Sequence, residues 1–138
     1  MDPLLRSYRN TTYRVTGVSP SIDIRVGTPC PMLDALLLQR AVSCWAFITA
    51  WNPMSRPLPL AENRERAARL AAELGEKFTS LAGAGIGDAG DWTPEESLLV
   101  LGIEQADAIA LALRYGQRAI VAGEHGGLPR LVECMEKD

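Results

Sequence analysis

The sequence predicts an α+β fold: a ferredoxin-like βαββαβ core with an N-terminal ββα extension, a single sheet layered with helices. Three observations carry that reading. From residue 45 onward the local signals run strand, helix, strand, strand, helix, strand, the split βαβ order. Segment 43–51 alternates Trp45, Phe47, Thr49 and Trp51 against Ala46, Ile48 and Ala50. Both faces look covered, which marks an interior strand. Ahead of it, Ile22, Ile24 and Val26 alternate with Asp23 and Arg25, the period of a half-buried strand.

The elements follow in order. Asp2-Pro3 offers a capping Asp and then Pro at the first helical position. Residues 2–9 therefore read as one or two helical turns, with Leu4, Leu5 and Tyr8 as a short apolar stripe. Thr, Tyr and Val make 11–18 a strand. Ser19-Pro20-Ser21 turns the chain, and Gly27-Thr28-Pro29 ends the strand at 22–26. A short helix follows at 32–39. Asn52-Pro53 stops the strand at 43–51, and Pro57 and Pro59 force an irregular loop over 54–60. The clearest helix is 61–74, with Ala67, Leu70, Ala71 and Leu74 on its buried stripe, an i,i+4 Glu65–Arg69 pair and Gly75 as its cap. Residues 78–81 read as a strand running into a glycine-rich loop at Gly83, Gly85, Gly87 and Gly90. A buried strand at 97–103, a helix at 104–115 capped by Gly116, a strand at 118–122 and an edge strand at 128–134 complete the chain. No repeat or linker interrupts it, so one domain over 1–138 is expected.

Composition narrows the function classes. At 138 residues, 47% hydrophobic and 22% charged, the chain is long enough for its own core and too apolar for disorder. A net charge of −3 gives no broad basic footprint for nucleic acid. That charge is segregated: residues 1–60 hold six Arg against three Asp, and the acidic excess gathers over 88–107. Cys30, Cys44 and Cys134 are odd in number and form no CxxC pair, which fits free thiols in a reducing compartment. A lone His125 argues against a His-based zinc site. The N-terminus lacks the apolar core of a signal peptide, and no apolar run reaches the roughly 18 residues of a membrane helix. A soluble cytoplasmic protein without metal or cofactor is expected.

The leading candidate site joins the end of the strand at 45–51 to the start of the helix at 61–74. Thr49, Trp51 and Asn52 stand at the strand end; Glu62, Asn63 and Arg66 lie in the first helical turn. Asn63, Arg66 and Leu70 follow i, i+3, i+7, which continues the buried stripe with two polar donors. A helix N-terminus favours negative charge, so this pattern suits a pocket for a carboxylate or phosphate. The structural alternative is a Glu62–Arg66 ion pair, with Asn63 capping the helix or pinning the long loop. Glu96 enters an apolar strand and is read as pointing toward Arg66. Gln117 stands at a helix-to-strand turn.

Other motifs are weaker. Gly85, Gly87 and Gly90 match G-x-G-x-x-G formally, and Thr93-Pro94-Glu95-Glu96 after Trp92 reads as a helix start. Gly102 leaves room only for a short helix, and nearby acids repel pyrophosphate, so a tight loop is the better reading. Asp88, Asp91, Glu95, Glu96, Glu104 and Asp107 have no Lys or Arg between them. Close carboxylates hold Mg²⁺ or Ca²⁺, or split their pKa values for acid–base work, but the spacing is not that of a calcium loop and a solvated face is the default. His125 reads as an exposed turn residue. No Ser or Cys sits in a nucleophile elbow, and no triad is visible.

Several segments together resemble a known family. They are Thr12-Tyr13, Ile24-Arg25-Val26-Gly27, Ala46-Phe47-Ile48-Thr49-Ala50-Trp51-Asn52-Pro53, Glu62-Asn63-Arg64-Glu65-Arg66, Gly85-Ile86-Gly87, Trp92, Glu96-Ser97-Leu98-Leu99-Val100-Leu101-Gly102 and Gly116-Gln117-Arg118-Ala119-Ile120. The chain resembles, over nearly its whole length, the bacterial family called domain of unknown function 3293. The A-F-I-T-A-W-N-P segment followed by E-N-x-x-R is the specific part. The resemblance implies no activity and no catalytic residues, but its motif elements fall on Thr49, Asn52, Asn63, Arg66, Glu96 and Gln117. The expectation is a cytoplasmic α+β protein binding a small anionic metabolite at this cluster. The alternative is a non-catalytic homo-oligomeric module, a homodimer in which Trp45, Phe47 and Trp51 meet a second copy where no helix covers them. Neither a membrane nor a nucleic acid is the expected partner; for the latter, Arg64, Arg66 and Arg69 are the residues to watch.

Overall fold

A computed structural model describes residues 3–90 and 93–135. The capping Asp2, and Asp91 and Trp92 of the glycine segment, lie outside the described residues. The order is α1 (Pro3–Arg9), β1 (Thr11–Val15), β2 (Ile22–Ile24), α2 (Pro31–Gln39), β3 (Cys44–Thr49), a 3-10 turn (Pro53–Ser55), α3 (Leu60–Leu74), β4 (Thr79–Gly87), β5 (Glu95–Leu101), α4 (Gln105–Arg114), β6 (Ala119–Glu124) and β7 (Arg130–Glu133). The fold class is therefore mixed α+β.

The strands form one seven-stranded sheet in the order β2-β1-β4-β5-β3-β6-β7, and every pairing is antiparallel. This order differs from a four-stranded ferredoxin-like sheet, because the β1–β2 hairpin adds strands beyond β4 and β7 adds one beyond β6. The N-terminal strands thus extend the sheet, while α2 packs across it. The sheet curls: Gly27 N–H, just past β2, donates to the carbonyl of Pro129, just before β7, at 2.8 Å.

Strand β3 divides two cores, as its alternation predicts. Ala46, Ile48 and Ala50 face a cluster built with Leu70 and Leu74 of α3 and with Ala108, Leu111 and Ala112 of α4. Trp45 and Phe47 face the opposite cluster, with Leu33, Leu36 and Leu37 of α2 and with Tyr13, Val15, Ile22 and Ile24. Burying a Leu such as Leu70 or Leu74 stabilises the fold by about 1.5–3 kcal/mol. On α3 the buried stripe is Asn63, Ala67, Leu70 and Leu74. Ala71 is exposed, so a polar residue holds a place that the apolar pattern alone does not assign.

Two readings are corrected. The glycine-rich segment is a strand, not a loop: Gly83, Gly85 and Gly87 belong to β4 and pair with Val15, Tyr13 and Thr11 of β1. Glycine is needed at 83 for close approach, since a Cβ there would stand 2.6 Å from the Arg14 carbonyl and 3.0 Å from the Phe47 ring. The Thr93-Pro94-Glu95-Glu96 stretch likewise starts no helix. Glu95 opens β5 and pairs with Gly85. Boundaries also shift. Strand β1 stops at Val15, where Thr16 and Gly17 N–H both turn to the Ala82 carbonyl. Strand β3 stops at Thr49, short of the left-handed Asn52. Among the described residues, no helix is long and apolar enough to cross a membrane.

Candidate functional site

Side chains alternate along each strand, so one face of the sheet carries Trp45, Phe47, Leu99 and Leu101. Helix α2 covers one end of this face. Toward the other end β4 offers only Gly85 and Gly87, and the missing side chains leave a cavity of about 600 Å³. Its walls come from β1 (Thr11, Tyr13), β3 (Phe47, Thr49), β5 (Glu95, Ser97), α1 (Ser7, Tyr8) and the loop from Trp51 to Leu60.

That loop is fixed by a hydrogen-bonded latch. Asn52 sits at φ 48° and ψ 61°, a left-handed conformation that Asn tolerates better than most residues. Its Oδ1 accepts from Leu58 N–H at 3.1 Å and from Asn63 Nδ2 at 2.8 Å. Asn63, 2% exposed, accepts from Asn52 N–H at 2.9 Å and donates to the Leu58 carbonyl at 3.3 Å. Arg66 donates from Nε to the Ala50 carbonyl at 2.7 Å and from Nη2 to the Tyr115 carbonyl at 2.5 Å. Its guanidinium also lies 5.9 Å from the Tyr115 ring centre, within cation–π range. Gln117 Nε2 donates to the carbonyls of Trp51 and Tyr115 at 3.0 and 3.2 Å. Thr49 Oγ1 donates to the Glu96 carbonyl at 2.8 Å and accepts from Trp51 N–H at 3.1 Å.

The predicted cluster therefore divides. Thr49, Trp51, Asn52, Asn63 and Gln117 all line the cavity. Arg66 is not among its walls; it clamps the two carbonyls named above. Glu62 lies exposed on α3, and Arg66 uses those carbonyls where an ion pair with Glu62 was one reading. Glu96 is also exposed and does not meet Arg66. The acid that turns inward is its neighbour Glu95, because β5 places Glu95, Ser97 and Leu99 on the cavity face and Glu96 on the other.

Glu95 is half-buried and accepts from Asn52 Nδ2 on Oε1 at 2.9 Å. Desolvation raises its pKa above the ordinary carboxylate value, and the Asn52 hydrogen bond opposes that shift. Tyr8 donates its hydroxyl to the Ala119 carbonyl at 2.9 Å, and its ring stacks on Tyr13 at 6.1 Å. Tyr13 meets Phe47 edge-on at 5.3 Å. Burial holds both phenols above their ordinary pKa. The indole N–H of Trp51 is buried and has no partner among the described residues.

Sequence reasoning missed Glu95, Tyr8, Tyr13 and Gly85 as cavity residues. Counting back by twos from Leu99 reaches Glu95 once the fold places Leu99 on the cavity face. The acidic run does not converge: Asp88 pairs with Arg25 at 2.9 Å, Glu95 faces the cavity and Glu96 faces away. Among the described residues, no three His, Cys, Asp or Glu side chains are placed to hold a metal ion.

A family described as a protein of unknown function (DUF3293) matches residues 48–120. The match spans the last two residues of β3, the latch, β4, β5 and Gln117, and leaves out Tyr8 and Tyr13. No curated protein and no solved structure matches the chain.

Proposed function

The chain belongs to the DUF3293 family, and from that premise we propose that it is a small-molecule-binding protein whose site is the cavity beside the 51–60 loop. One observation carries the reading. A cavity of about 600 Å³ opens on a sheet face stripped of side chains by Gly85 and Gly87, and it holds a half-buried carboxyl, Glu95. That volume falls in the range of small-molecule pockets, and apolar walls with a few convergent polar groups are their usual composition. Asn63 and Arg66 spend their donors on the latch, so an anionic group of the ligand is better met by Arg118, the cation of the lining among the described residues. The middle strands β4-β5-β3-β6, with α3 and α4, are read as a ferredoxin-like unit extended at both edges. Three unbridged cysteines support a cytoplasmic setting.

The homo-oligomeric alternative drew on Trp45, Phe47 and Trp51 as an open patch. They are 2%, 4% and 6% exposed and offer no such surface. The test is ligand-observed NMR with a set of small aromatic fragments, run on the wild type, Gly85→Ala and Gly85→Leu. A Cβ at Gly85 meets only ordinary contacts at 3.8 Å, so Gly85→Ala controls for folding while Gly85→Leu fills the cavity. Fragments should bind the first two proteins and not the third. Equal binding to a folded Gly85→Leu protein overturns the assignment.

A further inference from the structure

Resting on the reading of the cavity as a ligand site, we propose that its occupant carries an organic ammonium group, seated against Glu95 within the aromatic walls. Two independent features of the lining point to that chemistry. The first is a charge without a counter-charge. Glu95 receives one hydrogen bond from a neutral amide, Asn52 Nδ2 on Oε1. Among the described residues no cation pairs with it, and Oε2 has no hydrogen-bond partner. Of the cations nearby, Arg66 is engaged on two carbonyls and Arg25 on Asp88, while Arg118, which also lines the cavity, makes no ion pair with Glu95. A half-buried carboxylate with no opposite charge is costly, and a ligand cation removes that cost. The second feature is the ring content. Tyr8, Tyr13, Phe47 and Trp51 all line the same cavity, and electron-rich ring faces attract ammonium groups. Rings with one carboxylate discriminate an organic ammonium from a neutral isostere. They also discriminate it from a hydrated metal ion, for which oxygen ligands are too few.

The probes are phenethylamine, 2-phenylethanol and 3-phenylpropionate, which share a ring and differ at the polar end. Their affinities for the full-length wild type, Glu95→Gln and Gly85→Leu are measured by calorimetry or ligand-observed NMR at neutral pH. Unfolding curves show that each variant is folded. The amine should bind the wild type at least tenfold tighter than the alcohol. Glu95→Gln should abolish that preference while leaving the alcohol's affinity unchanged. Amine and alcohol binding alike, or a preference that survives Glu95→Gln, overturns the ammonium assignment. In that case the cavity reading still stands, provided Gly85→Leu blocks the alcohol. Failure of all three probes on the wild type overturns the cavity reading, and the ammonium assignment with it.

Discussion

Replacing Asn63 by Ala removes the centre of the latch that ties the strand-end loop to α3. The side chain makes two short hydrogen bonds, at 2.9 and 2.8 Å, and a longer one at 3.3 Å. At about 1 kcal/mol net for each short bond, their loss costs roughly 2 kcal/mol. The Asn52 N–H and the Leu58 carbonyl are then left without these partners in a partly buried setting, which adds roughly 1 kcal/mol more. The expected loss is about 3 kcal/mol, a large share of the roughly 5–15 kcal/mol that holds a domain of this kind together. Urea unfolding followed by circular dichroism should show a lower midpoint at an unchanged m value. The melting temperature should fall by roughly 10 °C. Asn63→Asp sharpens the test. It keeps an acceptor for Asn52 N–H but loses the donor, and so turns a carboxylate toward Asn52 Oδ1 and the Leu58 carbonyl. Its folded-state pKa should therefore lie above the unfolded value. The variant should be least stable at neutral pH and recover as the solution is acidified. A loss below about 1 kcal/mol for Asn63→Ala, or a pH-independent Asn63→Asp, would refute the latch.

Other outcomes follow from the same geometry. Arg66→Lys should cost about 2 kcal/mol by chemical denaturation, because a point-charge ammonium cannot span the Ala50 and Tyr115 carbonyls as the planar fork does. Gly83→Ala should destabilise by about 1–3 kcal/mol, since its Cβ meets backbone at 2.6 Å. Gly90→Ala, in open space at φ +69°, should cost only the left-handed strain of roughly 1–2 kcal/mol and no steric clash; equal losses at a higher value would contradict this. For Glu95 the folded pKa lies above its ordinary 4.5. Its charged form is therefore disfavoured by folding, with no penalty below 4.5 and a growing one as pH rises through the folded value. Glu95→Gln should gain stability on the wild type between pH 4 and pH 7, and a constant difference across that range would contradict the burial argument.

Legibility in the sequence tracked side-chain pattern. Strand β3 was readable because Trp45 and Phe47 alternate with Ala46 and Ile48, and α3 because Ala67, Leu70 and Leu74 repeat at helical spacing. Strand β4 was not, since glycine has little β propensity and leaves no period to count. Its neighbours decide its state: Val15 and Tyr13 on one side, Ser97 and Glu95 on the other. Glu95 and Glu96 could not be told apart because Leu99 and Val100 are both fully buried, so β5 shows no polar face to set its phase. Asn63 and Arg66 are legible as polar residues on an inward helix edge. What they bond to depended on the left-handed turn at Asn52 and on the approach of Tyr115 from α4, contacts fixed only by the tertiary fold.

The curl of the sheet bears on how this protein behaves at high concentration. An open sheet normally ends in two rows of unpaired amides, which template growth from one molecule to the next. Here the terminal strands β2 and β7 have only three and four residues. The chain beside them is tied edge to edge through Gly27 and Pro129. Asp23 on β2 is held by Arg14 at 2.8 Å, which sets charge on that border. Each end of the sheet is thus short and partly engaged, which blunts it as a template for a foreign strand. Breaking the Gly27–Pro129 tie would free that part of both borders for pairing with another molecule.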